Sequence, residues 1–297
     1  MTSVSQGSVE EVGAGLAAQD YLADEGLATS VFLALRLQRP LFLEGDAGVG
    51  KTEVAKALAS WTGGRFVRLQ CYEGIDVAQA LYEWDHARQL LHLRAAEAAG
   101  RRADDLEDEL YDPRFLVRRP LLQAIAHGDG PPPVLLVDEV DRADDEFEAF
   151  LLEVLSDFQI TIPEIGTVAA EQPPMVVLTS NRTRELHDAL KRRCLYHWID
   201  YPDEAREVEI VRLRAPELPQ PLVEAVVDVV ARLRELDLTK APGVAETINW
   251  ARALGVLGVE RLDAEAVTPT LGAVLKDRDD LLRVQAGLKL LLDDVGR

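Results

Sequence analysis

Gly45-Asp46-Ala47-Gly48-Val49-Gly50-Lys51-Thr52 satisfies the pattern G-x-x-x-x-G-K-[ST], and each fixed position has a chemical task. Gly45, Gly48 and Gly50 let the backbone take positive φ and wind closely, so that successive N–H groups converge on an anion as a nest. Lys51 reaches for the β and γ phosphates of a nucleotide, and Thr52 offers its hydroxyl to magnesium. A helix that starts here turns its positive end toward the same phosphates. A chance glycine turn before a helix is the bland alternative. Further along, Asp138 and Glu139 stand directly behind the apolar run VLLV, Val134 to Val137. An acid pair after a strand is a weak signal alone. Downstream of a phosphate loop it supplies what phosphoryl transfer to water needs, with Asp138 holding magnesium through water and Glu139 polarising the attacking water. Asn181 closes MVVLTSN at another strand end, where it either orients that water or caps the next helix.

These groups need a frame that brings strand ends together. LFLE (Leu41 to Glu44) reads as a short buried strand, and Val54, Leu58 and Trp61 give the helix after the loop one apolar face. Leu27, Val31 and Leu35 recur every four residues, a helix that Pro40 stops. Arg65 to Tyr72 reads as the next strand. The acid strand ends where open α/β sheets bind ligands, at the carboxyl edge. Phe147, Phe150, Leu151, Val154 and Phe158 then recur at helical spacing, with Asp144, Asp145 and Glu146 suited to the first turn. Ile160 to Val168 alternates around a turn at Pro163 to Gly166, a β-hairpin, and strands at Met175 to Asn181 and Leu195 to Tyr201 follow. The expected organisation is a mobile segment at 1–20, a nucleotide-binding α/β domain at 21–202 with a charged helical insertion at about 78–110, and a helical lid at 203–297.

Composition narrows the partners. The 297 residues are 47% hydrophobic, enough for a real core, and carry 32 basic against 52 acidic side chains for a net charge of −20. Such a chain repels phosphate backbones, so no nucleic acid is expected as its main partner. Cys71 and Cys194 are too few and too far apart to announce a disulfide framework or a zinc site. The apolar run Val31 to Gln38 is short and broken by Arg36, and no signal-peptide pattern opens the sequence, so the expectation is a cytoplasmic protein without an integral membrane segment.

Taken together, GDAGVGKT, VLLVDEVD, TSN (Thr179 to Asn181), ALKRRC (Ala189 to Cys194) and the helical C-terminal region resemble an AAA+ ATPase. The hairpin between the acid strand and the Asn strand, with DEVDRADDEFEAFLLEVL, is similar to the MoxR branch. The likeness is closer to CoxD-like proteins through LQCYEGIDVAQALYEWDHARQ, LLEVLSDFQITIPEIGT, LTSNRTRELHDALKRRCLYHWIDYP and PGVAETINWARAL, and it spans about residues 25–280. The resemblance implies a P-loop AAA+ core with a parallel β-sheet flanked by helices and an all-α C-terminal lid. It implies ATP and Mg2+, a hexameric or similar ring of this chain with itself, and remodelling of a client protein. For CoxD-like proteins the client is the molybdenum-copper site of a carbon monoxide dehydrogenase, a molybdenum hydroxylase, often with a von Willebrand A domain partner.

Matched by position, Gly45 to Thr52 is Walker A, Asp138 and Glu139 are Walker B, and Asn181 is sensor 1. Arg193, or its neighbour Arg192, matches the arginine finger that reaches the next subunit's γ-phosphate. One position departs: where sensor 2 arginine is expected, GVAETINWAR has Glu246. Arg252 lies six residues on, about 240° around the helix, and cannot take over that direction. A nucleic-acid motor or loader shares such a core but is opposed by the charge, and a small-molecule P-loop kinase would not need ALKRRC or the lid. A nucleotide-binding regulator with weak hydrolysis stays open because of the missing sensor 2 arginine.

Overall fold

The computed structural model describes residues 7–101 and 107–292. Nine strands are present among them: β1 (Leu41–Glu44), β2 (Phe66–Gln70), β3 (Tyr82–Trp84), β4 (Leu116–Arg118), β5 (Val134–Asp138), β6 (Gln159–Ile162), β7 (Gly166–Ala169), β8 (Met175–Ser180) and β9 (Leu195–Trp198). Five form the central sheet in the order β2-β5-β8-β1-β9, parallel in the pairs β2/β5, β5/β8 and β8/β1. Every residue of β1, β5 and β8 is buried, as expected of apolar runs in a parallel sheet covered on both faces. β2 lies at the edge and alternates instead, with Val67 and Leu69 buried and Arg68 exposed.

The register sets the carboxyl edge. Glu44 pairs with Ser180, Val137 with Leu178 and Gln70 with Asp138, so the ends of β1, β8, β5 and β2 lie level. β1 and β5 therefore end at the same edge of the sheet, two strands apart. The hairpin expected at Ile160 to Val168 is β6 and β7, paired antiparallel from Gln159–Ala169 to Ile162–Gly166.

Contacts divide the described chain into two compact units. The first comprises 7–15, 24–44 and 55–197, with the sheet and a core that includes Phe42, Leu135, Val137, Phe147, Leu151 and Leu178. The second comprises 16–23, 45–54 and 198–292. Its helices Glu204–Arg214, Gln220–Glu235, Val244–Val256, Ala264–Val274 and Arg278–Leu292 close on Trp250, which is fully buried and satisfies its indole N–H on Thr270 Oγ1 at 2.9 Å.

Three expectations need correction. The segment 1–20 contains a helix, Val9–Ala17, with Val12 and Leu16 fully buried; its residues 1–6 lie outside the described residues. Gly15 contributes by leaving room for the Trp61 ring, which a Cβ there would strike. The insertion at 78–110 is not helical throughout: β3 interrupts it and pairs antiparallel with β4, beyond its far end, while the helix His86–Ala98 follows. Residues 102–106 of that insertion lie outside the described residues. The compact-unit boundary falls at 197/198, not 202/203, and residues 45–54 group with the C-terminal helices. The reason is local: Ala245 N–H donates to the Gly48 carbonyl at 3.4 Å, and the Gly45 backbone lies against the Ile199 carbonyl.

Candidate functional site

The second unit supplies the phosphate loop. Gly48 (φ 81°) and Gly50 (φ 96°) take the left-handed backbone that other residues resist, which winds the loop Gly45 to Thr52 into a nest ahead of the helix Lys51–Thr62. The helix is closed by amides of Glu53 and Val54 donating to the Gly50 carbonyl, at 3.1 and 3.3 Å. The buried Lys51 ammonium donates to the carbonyls of Gly45 and Asp46 at 2.7 and 2.6 Å, so the cation is held over the loop. Val49 is buried and anchors the loop. Burial first, then the carboxylates of Asp46 and Glu246, push the Tyr201 phenol above its ordinary range, while Arg234 over its ring at 4.4 Å opposes the shift.

The first unit supplies the acid cluster. Asp138 ends β5 only 3% exposed, and Thr179 Oγ1 donates to its Oδ1 at 2.6 Å. Arg68 donates to Oδ2 through Nε at 2.9 Å and Nη2 at 2.5 Å. Glu139 turns the chain with φ 53° and ψ 51°, a conformation rare for a non-glycine residue and concentrated at functional turns. Its amide donates to Thr179 Oγ1 at 2.9 Å, so one hydroxyl ties both acids to β8. Gln70 and Arg142 donate to its Oε2 at 3.1 and 3.0 Å and fix the carboxylate's direction. A carboxylate aimed by two donors and still one-third exposed is suited to taking a proton from water.

Asn181 follows β8, and its amide N–H donates to Asp141 Oδ2 at 3.2 Å. Thr183 donates to the same oxygen from its amide and its hydroxyl, both at 2.8 Å, so buried Asp141 anchors the turn that carries Asn181. The next helix, Asp188–Arg193, has His187 as its N-cap, so Asn181 is not a helix cap. Its side-chain amide has no hydrogen-bond partner among the described residues. Asp138, Glu139 and Asn181 are thus brought together through Thr179 and Asp141.

Arg192 and Arg193 close the helix Asp188–Arg193, and Arg39 holds that end by donating to their carbonyls at 2.7 and 3.1 Å. Arg193 Nη1 rests on the Leu152 carbonyl at 3.4 Å, whereas exposed Arg192 has no side-chain hydrogen bond among the described residues. Glu246 caps its own helix, accepting from Gly243 N–H at 3.0 Å, and its Oε2 would lie 2.9 Å from a Cβ on Gly48. Arg252 donates to the Arg214 carbonyl, in line with its different direction.

In the second unit the donor types, a nest of amides, an ammonium and the Thr52 hydroxyl, suit phosphate and a hard cation; in the first unit the Asp138 carboxylate is of a type that suits a hard cation such as magnesium. Sequence reasoning missed Arg68, Gln70, Thr179 and Asp141. The alternation of FVRLQ signalled only that Arg68 and Gln70 share the less buried face of β2, and TSN signalled only its last residue.

Residues 40–194 match the family model of an AAA domain, dynein-related subfamily. The chain is 24% identical over 276 residues to the gas vesicle ATPase GvpN1 of Halobacterium salinarum, a match covering 88% of this chain and 76% of that relative. Midasin of Giardia intestinalis is 43% identical over 54 residues, which is 18% of this chain and 1% of midasin's length. Among solved structures, a mutant of Thermotoga maritima RuvB aligns with a TM-score of 0.50 at 17% identity, over 95% of this chain and 77% of that one, a likeness of fold. No helix of the described residues is long and apolar enough to cross a membrane.

Proposed function

The chain belongs to the AAA domain family, dynein-related subfamily, and is an ATP hydrolase; on that premise we propose a MoxR-type AAA+ ATPase, nearest in its motifs to CoxD-like proteins, that remodels or matures a client protein. The observation that carries the catalytic part is Glu139, turned out of the end of β5 in a strained backbone and aimed by Gln70 and Arg142. In this reading the loop amides and Lys51 bind the β and γ phosphates. Thr52 and Asp138 hold Mg2+, which supplies charge neutralisation at the phosphates. Glu139 takes the proton of the attacking water, Asn181 orients that water with its side-chain amide, and Arg193 or Arg192 reaches a neighbouring copy's γ-phosphate.

The client part rests on the longer phrases shared with CoxD-like proteins: a molybdenum hydroxylase of the carbon monoxide dehydrogenase type, with a von Willebrand A domain protein as partner and a ring of this chain as the working form in the cytoplasm. Similarity to a gas vesicle ATPase along most of the chain supports the ATPase part of this reading. The test is the metal content of the hydroxylase purified from cells with and without this chain. Incomplete molybdenum-copper centres in its absence, restored by wild type but not by Glu139→Gln, are expected. Fully loaded centres in its absence reject that client. ATPase activity that depends on added DNA favours the motor reading.

A further inference from the structure

Glu246 stands in the second unit as the third residue of the helix Val244–Val256, half-buried, with its Oε2 accepting from the Gly243 N–H at 3.0 Å. That bond is the reaching-back half of a capping box, a task that glutamine performs as well as glutamate. The cap therefore explains the length of the side chain and leaves its charge unexplained. The surroundings bear on the charge. A Cβ on Gly48 would lie 2.9 Å from Glu246 Oε2 and 3.0 Å from the Gly243 Cα, and the Ala245 N–H donates to the Gly48 carbonyl at 3.4 Å, so the capped carboxylate is pinned against the middle of the phosphate loop. Glu246 enters no ion pair among the described residues. Arg234, over the Tyr201 ring at 4.4 Å, gives two nitrogens to Glu207 instead. The Tyr201 phenol, raised by burial first and then by Asp46 and Glu246, reports both acids around the loop. A loop whose amides gather anions thus carries an uncompensated acid on its flank.

We propose that Glu246 is a specificity-determining residue whose carboxylate repels nucleotide phosphates in the loop, lowering affinity more for a nucleoside triphosphate than for the diphosphate. The inference rests on the reading of Gly45 to Thr52 as the phosphate loop. The repulsion grows with each unit of ligand charge, and the triphosphate carries one more than the diphosphate. The loop then binds phosphate against an opposing field, and loss of the last phosphate relieves part of it.

The experiment measures the affinity of the full chain for ADP and for a non-hydrolysable ATP analogue by titration calorimetry, at about 20 mM and about 500 mM salt. Glu246→Gln keeps the cap and removes the charge, so at low salt it should tighten binding of the ATP analogue about three- to tenfold and of ADP less, and the gain should shrink at high salt. Glu246→Ala should show the same gain while melting at a lower temperature, because it loses the cap as well. Unchanged or weaker binding by Glu246→Gln at low salt overturns the repulsion, and so does a gain that salt leaves untouched, since a packing change is not screened. A gain equal for both nucleotides overturns the discrimination between them. If wild type binds neither nucleotide, the phosphate-loop reading falls and the inference with it; wild-type binding that Glu246→Gln leaves unmoved rejects the inference alone.

Discussion

Lys51 is the one side-chain cation of the phosphate loop, and the carbonyls of Gly45 and Asp46 already hold its ammonium there. Lys51→Ala removes a charge-assisted contact to phosphate and leaves the amide nest alone, so ATP affinity should fall by about ten- to a hundredfold in a nucleotide titration. Near-wild-type affinity would mean that the backbone suffices. Glu139→Gln keeps the hydrogen-bonding outline and loses the basic carboxylate, so binding should survive while single-turnover hydrolysis slows by about 10² to 10⁴. Undiminished hydrolysis would move the base to another residue. Burial, reinforced at Cys71 by Asp138, Asp141 and Glu139, pushes the thiols of Cys71 and Cys194 up to about 12. A raised thiol pKa starves the reactive thiolate, by roughly a thousandfold at neutral pH, so both cysteines should resist iodoacetamide in the folded chain and react on unfolding in urea. Rapid native labelling at either would contradict the burial. The candidate residues that the sequence singled out were those whose types are fixed by chemistry, Lys51, Asp138 and Glu139. Arg68 and Thr179 were not, because the bonds that give them a role cross between strands far apart in sequence.

Elements were legible where periodicity was long and unambiguous. The runs behind β1, β5 and β8, the helix Asp145–Asp157 and the β6–β7 hairpin all follow the sequence pattern. β3 did not announce itself, since three residues, Tyr82 to Trp84, sit between helix formers and become a strand only by pairing with β4 some thirty residues on. Helix Val9–Ala17 was hidden by its glycines, one of which makes sense only beside Trp61. Among the C-terminal helices, the decisive device is Glu207, 1% exposed and paired on both oxygens by Arg234 at 2.6 and 2.9 Å, with Thr247 donating at 2.6 Å. It joins three helices, Glu204–Arg214, Gln220–Glu235 and Val244–Val256. Arg234→Met strands a buried carboxylate, and removing one partner of a buried pair costs about 3 to 5 kcal/mol. Chemical denaturation should show a loss of that size; a change below about 1 kcal/mol, the range of exposed pairs, would mean that water reaches Glu207 and replaces the arginine.

Whether the chain works alone or in company is a question for the whole molecule, and the proposed finger at the end of the helix Asp188–Arg193 is where it can be tested. Arg39 ties down the backbone there and leaves two exposed guanidinium groups, Arg193 resting on a carbonyl and Arg192 without a side-chain partner among the described residues. A finger that completes a neighbour's site acts only where copies meet, stabilising charge on the γ-phosphoryl oxygens in the transition state, an effect of about 10³ to 10⁵ in rate. Arg193→Ala, or Arg192→Ala if that neighbour is the finger, should therefore depress hydrolysis far more than ATP affinity. Wild-type activity per subunit should rise with protein concentration as copies assemble. The net charge of −20 opposes close approach of like chains, so this rise should steepen as salt is added. Mixing the inactive finger variant with Lys51→Ala gives the sharpest reading: some interfaces then join an intact phosphate loop to an intact finger, and activity should partly return. The same mixture made with Glu139→Gln in place of the finger variant restores less if Lys51 and Glu139 serve one copy's site, because each subunit then lacks a residue of its own. If finger and loop variants co-assemble by native mass spectrometry and still never complement, both arginines act within their own subunit, and the proposed ring loses its catalytic purpose.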